Sequence, residues 1–179
     1  MAHALNFHHD SVANTIKNNI HKLADKDGLV REKARKLLVS MGTPAIDYLS
    51  EFESHPKDIA RWEAVKALAD INEPIAAPIL VNALEDQNGD VRWLAAEGLS
   101  ELGEAGLKSV LEALLESPDS LHLRRGAHHV LANMAKHSPN SEIRELLHIL
   151  ESPDAELKIL VEAEPYLEKL TSHSEKIHS

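Results

Sequence analysis

Apolar and small residues recur along the middle of this chain in a register set by four arginines. Arg31, Arg61, Arg92 and Arg124 are each followed three residues on by alanine (Ala34, Ala64, Ala95, Ala127) and seven on by leucine (Leu38, Leu68, Leu99, Leu131). Ten residues on stands a further apolar residue (Met41, Ile71, Leu102, Met134). Offsets of 3, 7 and 10 fall on one stripe of an α-helix, so each copy predicts a helix with one buried face. The copies lie 30, 31 and 32 residues apart, which leaves room for two helices per unit. Units of that length bury their cores only by stacking on each other. The predicted fold is all-α: an α/α superhelix, a solenoid of about four two-helix repeats with atypical capping helices.

Start and stop signals place the other helices. Gly42, Asn72 and Gly103 follow three motif helices, where a left-handed C-cap is usual. Thr43-Pro44, Ser117-Pro118, Ser138-Pro139 and Ser152-Pro153 read as helix openings, and Asp27, Asp58 and Asp90 as caps of motif helices. Second helices are expected over 44–54, 74–86, 104–117 and 140–151. Residues 11–24, with Val12, Ile16, Ile20 and Leu23, read as an opening cap; 154–163 starts a closing helix that Pro165 should break. The expected organisation is one domain over 10–171, with repeats at 27–56, 57–87, 88–119 and 120–152 and a closing cap at 154–171. Residues 1–9 and 172–179 read as polar, flexible ends.

Val30-Arg31-x-x-Ala34 and Val91-Arg92-x-x-Ala95, with the leucine and glycine that follow, resemble the HEAT-like repeats named after phycocyanobilin lyases, over about residues 27–151. The resemblance implies that the arginine-bearing helices line a concave face and the second helices lie outside. That family spans scaffolds, bilin lyases, a metal-dependent hydroxylase and artificial binders, so membership alone names no activity.

On a helical wheel, offsets 1, 2, 5 and 9 from each arginine point away from the core stripe. They hold Glu32, Lys33, Lys36 and Ser40; Trp62, Glu63, Lys66 and Asp70; Trp93, Leu94, Glu97 and Glu101; and Arg125, Gly126, His129 and Asn133. Both tryptophans share offset 1 in adjacent repeats. Tryptophan at the centre of a polar rim is the usual make-up of a binding hot spot, although an indole there can instead fold down onto neighbouring helix stems. The expected partner-binding set is Trp62, Trp93 and Leu94 as apolar anchor, Glu63, Lys66, Asp70, Glu97 and Glu101 as orienting charges, and Arg125 and His129 beside them. The motif arginines read as structural, in a ladder of pairs between neighbouring repeats that draws on Asp58 and Asp90.

Charge and chemistry narrow the function. A net charge of −10 opposes a nucleic-acid backbone as ligand. With no cysteine there is no disulfide, thiolate metal site or cysteine nucleophile. No apolar run spans a membrane and residues 1–10 lack the apolar core of a signal peptide, so the expectation is a cytoplasmic protein. Hydroxylase relatives place His-Glu dipeptides at offsets 1 and 2; here those pairs are Glu32-Lys33, Trp62-Glu63, Trp93-Leu94 and Arg125-Gly126. Glu145 with His148, and Glu175 with His178, have the spacing of di-iron ligands but read as solvated pairs. His128 and His129 are expected to diverge. No metal, cofactor or catalytic residue is expected. The resulting reading is a non-catalytic scaffold that holds a protein or peptide segment carrying apolar and basic residues. A bilin lyase or isomerase-like role is the alternative, and a hydroxylase the disfavoured third.

Overall fold

A computed structural model describes the backbone of residues 2–137 and 140–177, and the side chains of 11–137 and 140–170. Ten α-helices follow one another among these residues: α1 (Ala2–Ile20), α2 (Gly28–Met41), α3 (Ile46–Ser50), α4 (Asp58–Ile71), α5 (Ala77–Ala83), α6 (Gly89–Glu101), α7 (Glu104–Glu116), α8 (Leu121–His137), α9 (Ser141–Glu151) and α10 (Ala155–Ile177). Short 3-10 turns close α1 at His21–Ala24 and open α3 and α5 at Thr43–Ala45 and Pro74–Ala76. The described residues contain no strand, and no helix among them is long and apolar enough to cross a membrane.

The four arginine stripes are α2, α4, α6 and α8. Their alanines and leucines at offsets 3 and 7 are all buried, at 2% exposure or less. The same helices pack side by side in chain order, α2 on α4, α4 on α6 and α6 on α8. Asp58 at the start of α4 accepts from Asn88 beside the start of α6, so neighbouring helices of this layer run parallel. Helices α3, α5 and α7 form the second layer, with Ile46, Leu49, Leu80, Val110 and Leu111 buried against the first. At 3% aromatic content the core is built from small side chains that let helices approach closely. A Cβ placed on Gly98 of α6 would lie 2.8 Å from the Cβ of Ala69 on α4.

Several local expectations hold and several change. Asn72 caps α4 in the left-handed conformation, whereas Gly42 at the end of α2 and Gly103 just past the Leu102 cap of α6 have φ of +65° and +59° with ψ of −142° and −126°, outside the left-handed helical region. Asp27 caps α2 by accepting from the Leu29 N–H. Asn88, not Asp90, caps α6, accepting from the N–H groups of Asp90 and Val91. Asp58 is already the first residue of α4, after Lys57. Ser120 rather than Ser117 serves α8, through the Leu123 N–H; Ser138-Pro139 lies outside the described residues. Pro165 does not break the last helix, and α10 runs through it. Proline removes one backbone donor, but Ile159, Ala163, Tyr166 and Leu170 on either side are buried, and α10 packs on both α7 and α9. Residues 2–9 and 172–177, expected to be flexible ends, belong to α1 and α10.

The motif arginines brace the loops between repeats. Each donates from Nη1 to the carbonyl six residues earlier: Arg31 to Asp25 at 2.9 Å, Arg61 to His55 at 2.8 Å, Arg92 to Asp86 at 2.6 Å and Arg124 to Pro118 at 2.8 Å. Their carboxylate partners are Glu63 for Arg31, Asp86 for Arg61 and Glu156 for Arg124, not the expected Asp58 and Asp90. Across each seam Arg31 meets α4 more than a turn beyond Asp58, at Glu63, and Arg61 meets the loop ahead of Asp90, at Asp86.

Asp86 is the most constrained of these acids. Burial pushes its pKa up, but the Arg61 bonds at 2.6 and 2.9 Å and the Asn88 N–H at 2.7 Å outweigh burial and leave it lowered. A lowered folded-state value stabilises the fold above the unfolded carboxylate pKa of about 3.9, and that stability is lost as pH falls through the folded value. Asp86→Asn is therefore expected to unfold at lower urea than wild type at neutral pH, with the gap closing below about pH 4. A gap unchanged into strong acid would show that Asp86 does not carry the effect.

Candidate functional site

Each inner helix has a neighbour on one or both sides and an outer helix beneath, so only one strip of its surface can stay open. That strip is offsets 1, 5 and 9, a spacing of four that runs along one helix face. It presents Glu32, Lys36 and Ser40 on α2, Trp62, Lys66 and Asp70 on α4, Trp93, Glu97 and Glu101 on α6, and Arg125, His129 and Asn133 on α8. Every one of these is exposed or half-buried.

Offset 2 behaves differently, and two expected site residues leave the surface. Glu63 is 5% exposed and Leu94 6%. Offset 2 faces the preceding helix: Glu63 sits between Arg31 and Arg35 of α2, with each guanidinium Nε 3.2 Å from a carboxylate oxygen. The Arg31 contact is a hydrogen bond. The Arg35 contact is an ion pair whose angle makes no hydrogen bond, which leaves Arg35 Nε and Glu63 Oε2 without one. Leu94 occupies the same place between α6 and α4 as part of the core. Single-helix wheels carry no lateral neighbours, so the wheel put both on the open face.

The two tryptophans also part company. Trp62 is half-buried, packed against the core with the Arg35 guanidinium 5.8 Å from its ring centre. Trp93 is 54% exposed, the one aromatic ring among the large exposed apolar side chains of the described residues. Its ring meets that of His129 edge-on, centres 6.1 Å apart at 87°. His129 Nε2 lies 2.5 Å from Glu97 Oε1, and Asn133 Nδ2 donates to the same oxygen at 2.7 Å. The His129 bond, aided by Asn133 and opposed by burial, lowers the Glu97 pKa. Trp93 thus stands beside a fixed carboxylate–imidazole pair that links α6 to α8.

Charge on the strip is more balanced than expected. Glu63 is neutralised below the surface, Lys36 pairs with Glu32 at 2.6 Å, and Lys66 with Asp70 at 2.5 Å. Among the described residues Glu101 and Arg125 form no ion pair and remain open to a ligand.

A cleft of about 590 Å³ opens where the ends of α6 and α8 meet α7, α9 and α10. Glu97 and Glu101 line it together with Glu104, Met134, Ile143 and Tyr166. Burial, then the charges of Glu142 and Glu104, raise the Tyr166 pKa. None of Glu104, Met134 and Tyr166 was singled out for this role, because the cleft exists only through the way α10 crosses to α7.

Both halves of the chain match the family of HEAT repeats, over residues 16–100 and 78–164. The chain belongs to the HEAT repeat family. Over 108 residues it is 32% identical to deoxyhypusine hydroxylase of Aspergillus clavatus, covering 59% of this chain and 32% of the hydroxylase. The HEAT repeat chain thus spans about a third of the length of that curated relative. Among solved structures it is similar to a chain of the complex of CpcE and CpcF of phycocyanin lyase from Nostoc sp. PCC7120. That match has 25% identity and a TM-score of 0.58, and covers 85% of this chain and 99% of the other.

The hydroxylase likeness raises a metal centre, and the residues of this HEAT repeat chain do not fit one. At offsets 1 and 2 stand tryptophan, leucine, arginine and glycine where His-Glu donors would be needed, and Glu63 is held by two arginines. His128 and His129 diverge as expected, the first to Glu151 on α9 and the second to Glu97 on α6. Among the described residues no three His, Asp or Glu side chains gather as a metal site. Glu145 and His148 are exposed on α9, while the side chains of Glu175 and His178 lie outside the described residues.

Proposed function

We propose that the inner strip of this HEAT repeat domain binds a protein segment, with Trp93 as its anchor. The observation that supports this reading most is the exposure of Trp93 at 54% beside the His129–Glu97–Asn133 network, while Tyr48, Phe52, Trp62 and Tyr166 are half-buried or buried. A rigid aromatic ringed by polar groups is what a binding hot spot requires. Trp62, Lys66 and Asp70 border the anchor on one side, Arg125 and His129 on the other. Leu94 and Glu63 support it from beneath rather than touching a ligand. Glu101, next to Glu104 in the cleft, gives a basic residue of the segment its place.

A peptide selected from a random library against the folded protein provides the probe. Trp93→Ala is expected to weaken its binding at least tenfold, about 1.4 kcal/mol or more, with helical content unchanged. Glu101→Gln should mainly slow association and flatten its salt dependence. Equal affinity of the peptide for Trp93→Ala and wild type would remove the strip as the site. A second reading, handling of a bilin, is favoured only by the likeness to the phycocyanin lyase chain. It predicts a shift in bilin absorbance on adding the protein, abolished by the same Trp93→Ala change.

A further inference from the structure

The two ends of the stack are finished unlike its middle. Inside the stack, offsets 2 and 6 of an inner helix face the helix before it, as Glu63 does towards Arg31 and Arg35 and Gly98 towards Ala69. On α2 these offsets hold Lys33 and Leu37, with Leu29 one turn earlier on the same face. Leu29 is 65% exposed and Leu37 38%. At the other end, α10 buries Ala155, Ile159 and Ala163 and leaves Leu157, Leu160 and Val161 at 70%, 44% and 68% exposure. Of the eight large exposed apolar side chains among the described residues, these two faces hold five. Terminal units of a solenoid ordinarily carry a polar outer face, so the outer faces of α2 and of α10, which lies on α7 and α9, are both unusually apolar.

Charge pairs the two ends with each other. Residues 11–40 carry seven Lys and Arg against three Asp and Glu, while 141–170 carry three against eight. Around the α2 face, Lys26 and Lys33 are exposed and form no ion pair among the described residues; around the α10 face the same holds for Glu162 and Glu164. Two α2 faces, or two α10 faces, would bring like charges together, whereas one of each brings opposite charges around an apolar centre. We infer that the α2 face of one copy docks on the α10 face of another, a head-to-tail contact. A contact of this type uses two different patches, so it grows into rings or open chains rather than stopping at a symmetric dimer.

Velocity sedimentation of the full chain tests this from micromolar to millimolar protein, in low and in high salt. The expected result is a species that starts at the 19.8 kDa monomer, grows steadily with concentration, and shrinks again in high salt. Leu37→Glu blocks the α2 face and Val161→Lys the α10 face; each alone should remain monomeric. Mixed one to one, they should form a dimer and nothing larger, because one intact face of each kind is left. Lys33→Glu and Glu162→Lys repeat the comparison with changes confined to exposed charges, and helicity by circular dichroism confirms that every variant is folded. A wild-type monomer at millimolar concentration in low salt overturns the proposal. So does self-association that survives either variant alone, or a mixture that stays monomeric.

Discussion

Ala95→Glu is expected to lower the thermal midpoint by about 10 °C or more, the consequence of about 3–5 kcal/mol of lost stability. Ala95 sits at offset 3 of α6 with no exposed surface. Helix α6 packs against α4, α5, α7 and α8, so a carboxylate entering at this fully buried position is enclosed away from water. It would have to be buried unpaired or be protonated, and either costs free energy that no rearrangement of alanine-rich neighbours offsets. Repeats touch only their neighbours, so damage at this seam should spread outwards in both directions. Hydrogen exchange of the variant should show protection lost first in α4, α6 and α8. A midpoint equal to that of wild type would mean that α6 does not present this face to the core.

The part of the fold that depends on a single helix was readable from the sequence. Offsets of 3 and 7 are fixed by helix geometry, and all eight residues at them are buried. The positive-φ positions Gly42, Asn72 and Gly103 are equally local, since a positive φ leaves its trace in residue type. What depends on two elements at once was not readable. Glu63 and Leu94 look solvent-facing on a wheel and become seam residues when a second helix lies alongside. Arg31, Arg61 and Arg124 choose carboxylates 32, 25 and 32 residues away, which spacing along one helix cannot show. Pro165 reads as a stop because its missing donor is certain, whereas the burial of Ile159, Tyr166 and Leu170 that holds α10 together is set by α7 and α9. The open strip shows the same division. Trp93, Glu97, Glu101, Arg125 and His129 follow from the wheel; the edge-on ring contact and the shared carboxylate follow only from α6 and α8 lying side by side.

Two glycines at the α6–α7 corner should respond to alanine for different reasons, and the second carries the other large effect. Gly103 has φ of +59° and ψ of −126° with open space where a Cβ would go, so Gly103→Ala should cost only the conformational penalty, about 1–2 kcal/mol. Gly106 lies on the first turn of α7, in an ordinary helical conformation, where alanine has the better propensity by about 1 kcal/mol. Propensity alone therefore predicts that Gly106→Ala stabilises. The packing predicts the reverse. A Cβ on Gly106 would run into the backbone carbonyl oxygen of Leu99, with the carbonyl carbon only 2.8 Å away. Leu99 is fully buried at offset 7 of α6, and a carbonyl cannot swing aside as the end of a side chain can. Helix α7 would have to lift off α6, taking Leu107, Val110 and Leu111 partly out of the core. Overpacking against backbone should cost about 3 kcal/mol, roughly 6–12 °C in thermal midpoint for a chain of this size. Melting curves of the two variants side by side decide the matter. Gly106→Ala melting at or above Gly103→Ala would show that the two helices do not approach through this glycine.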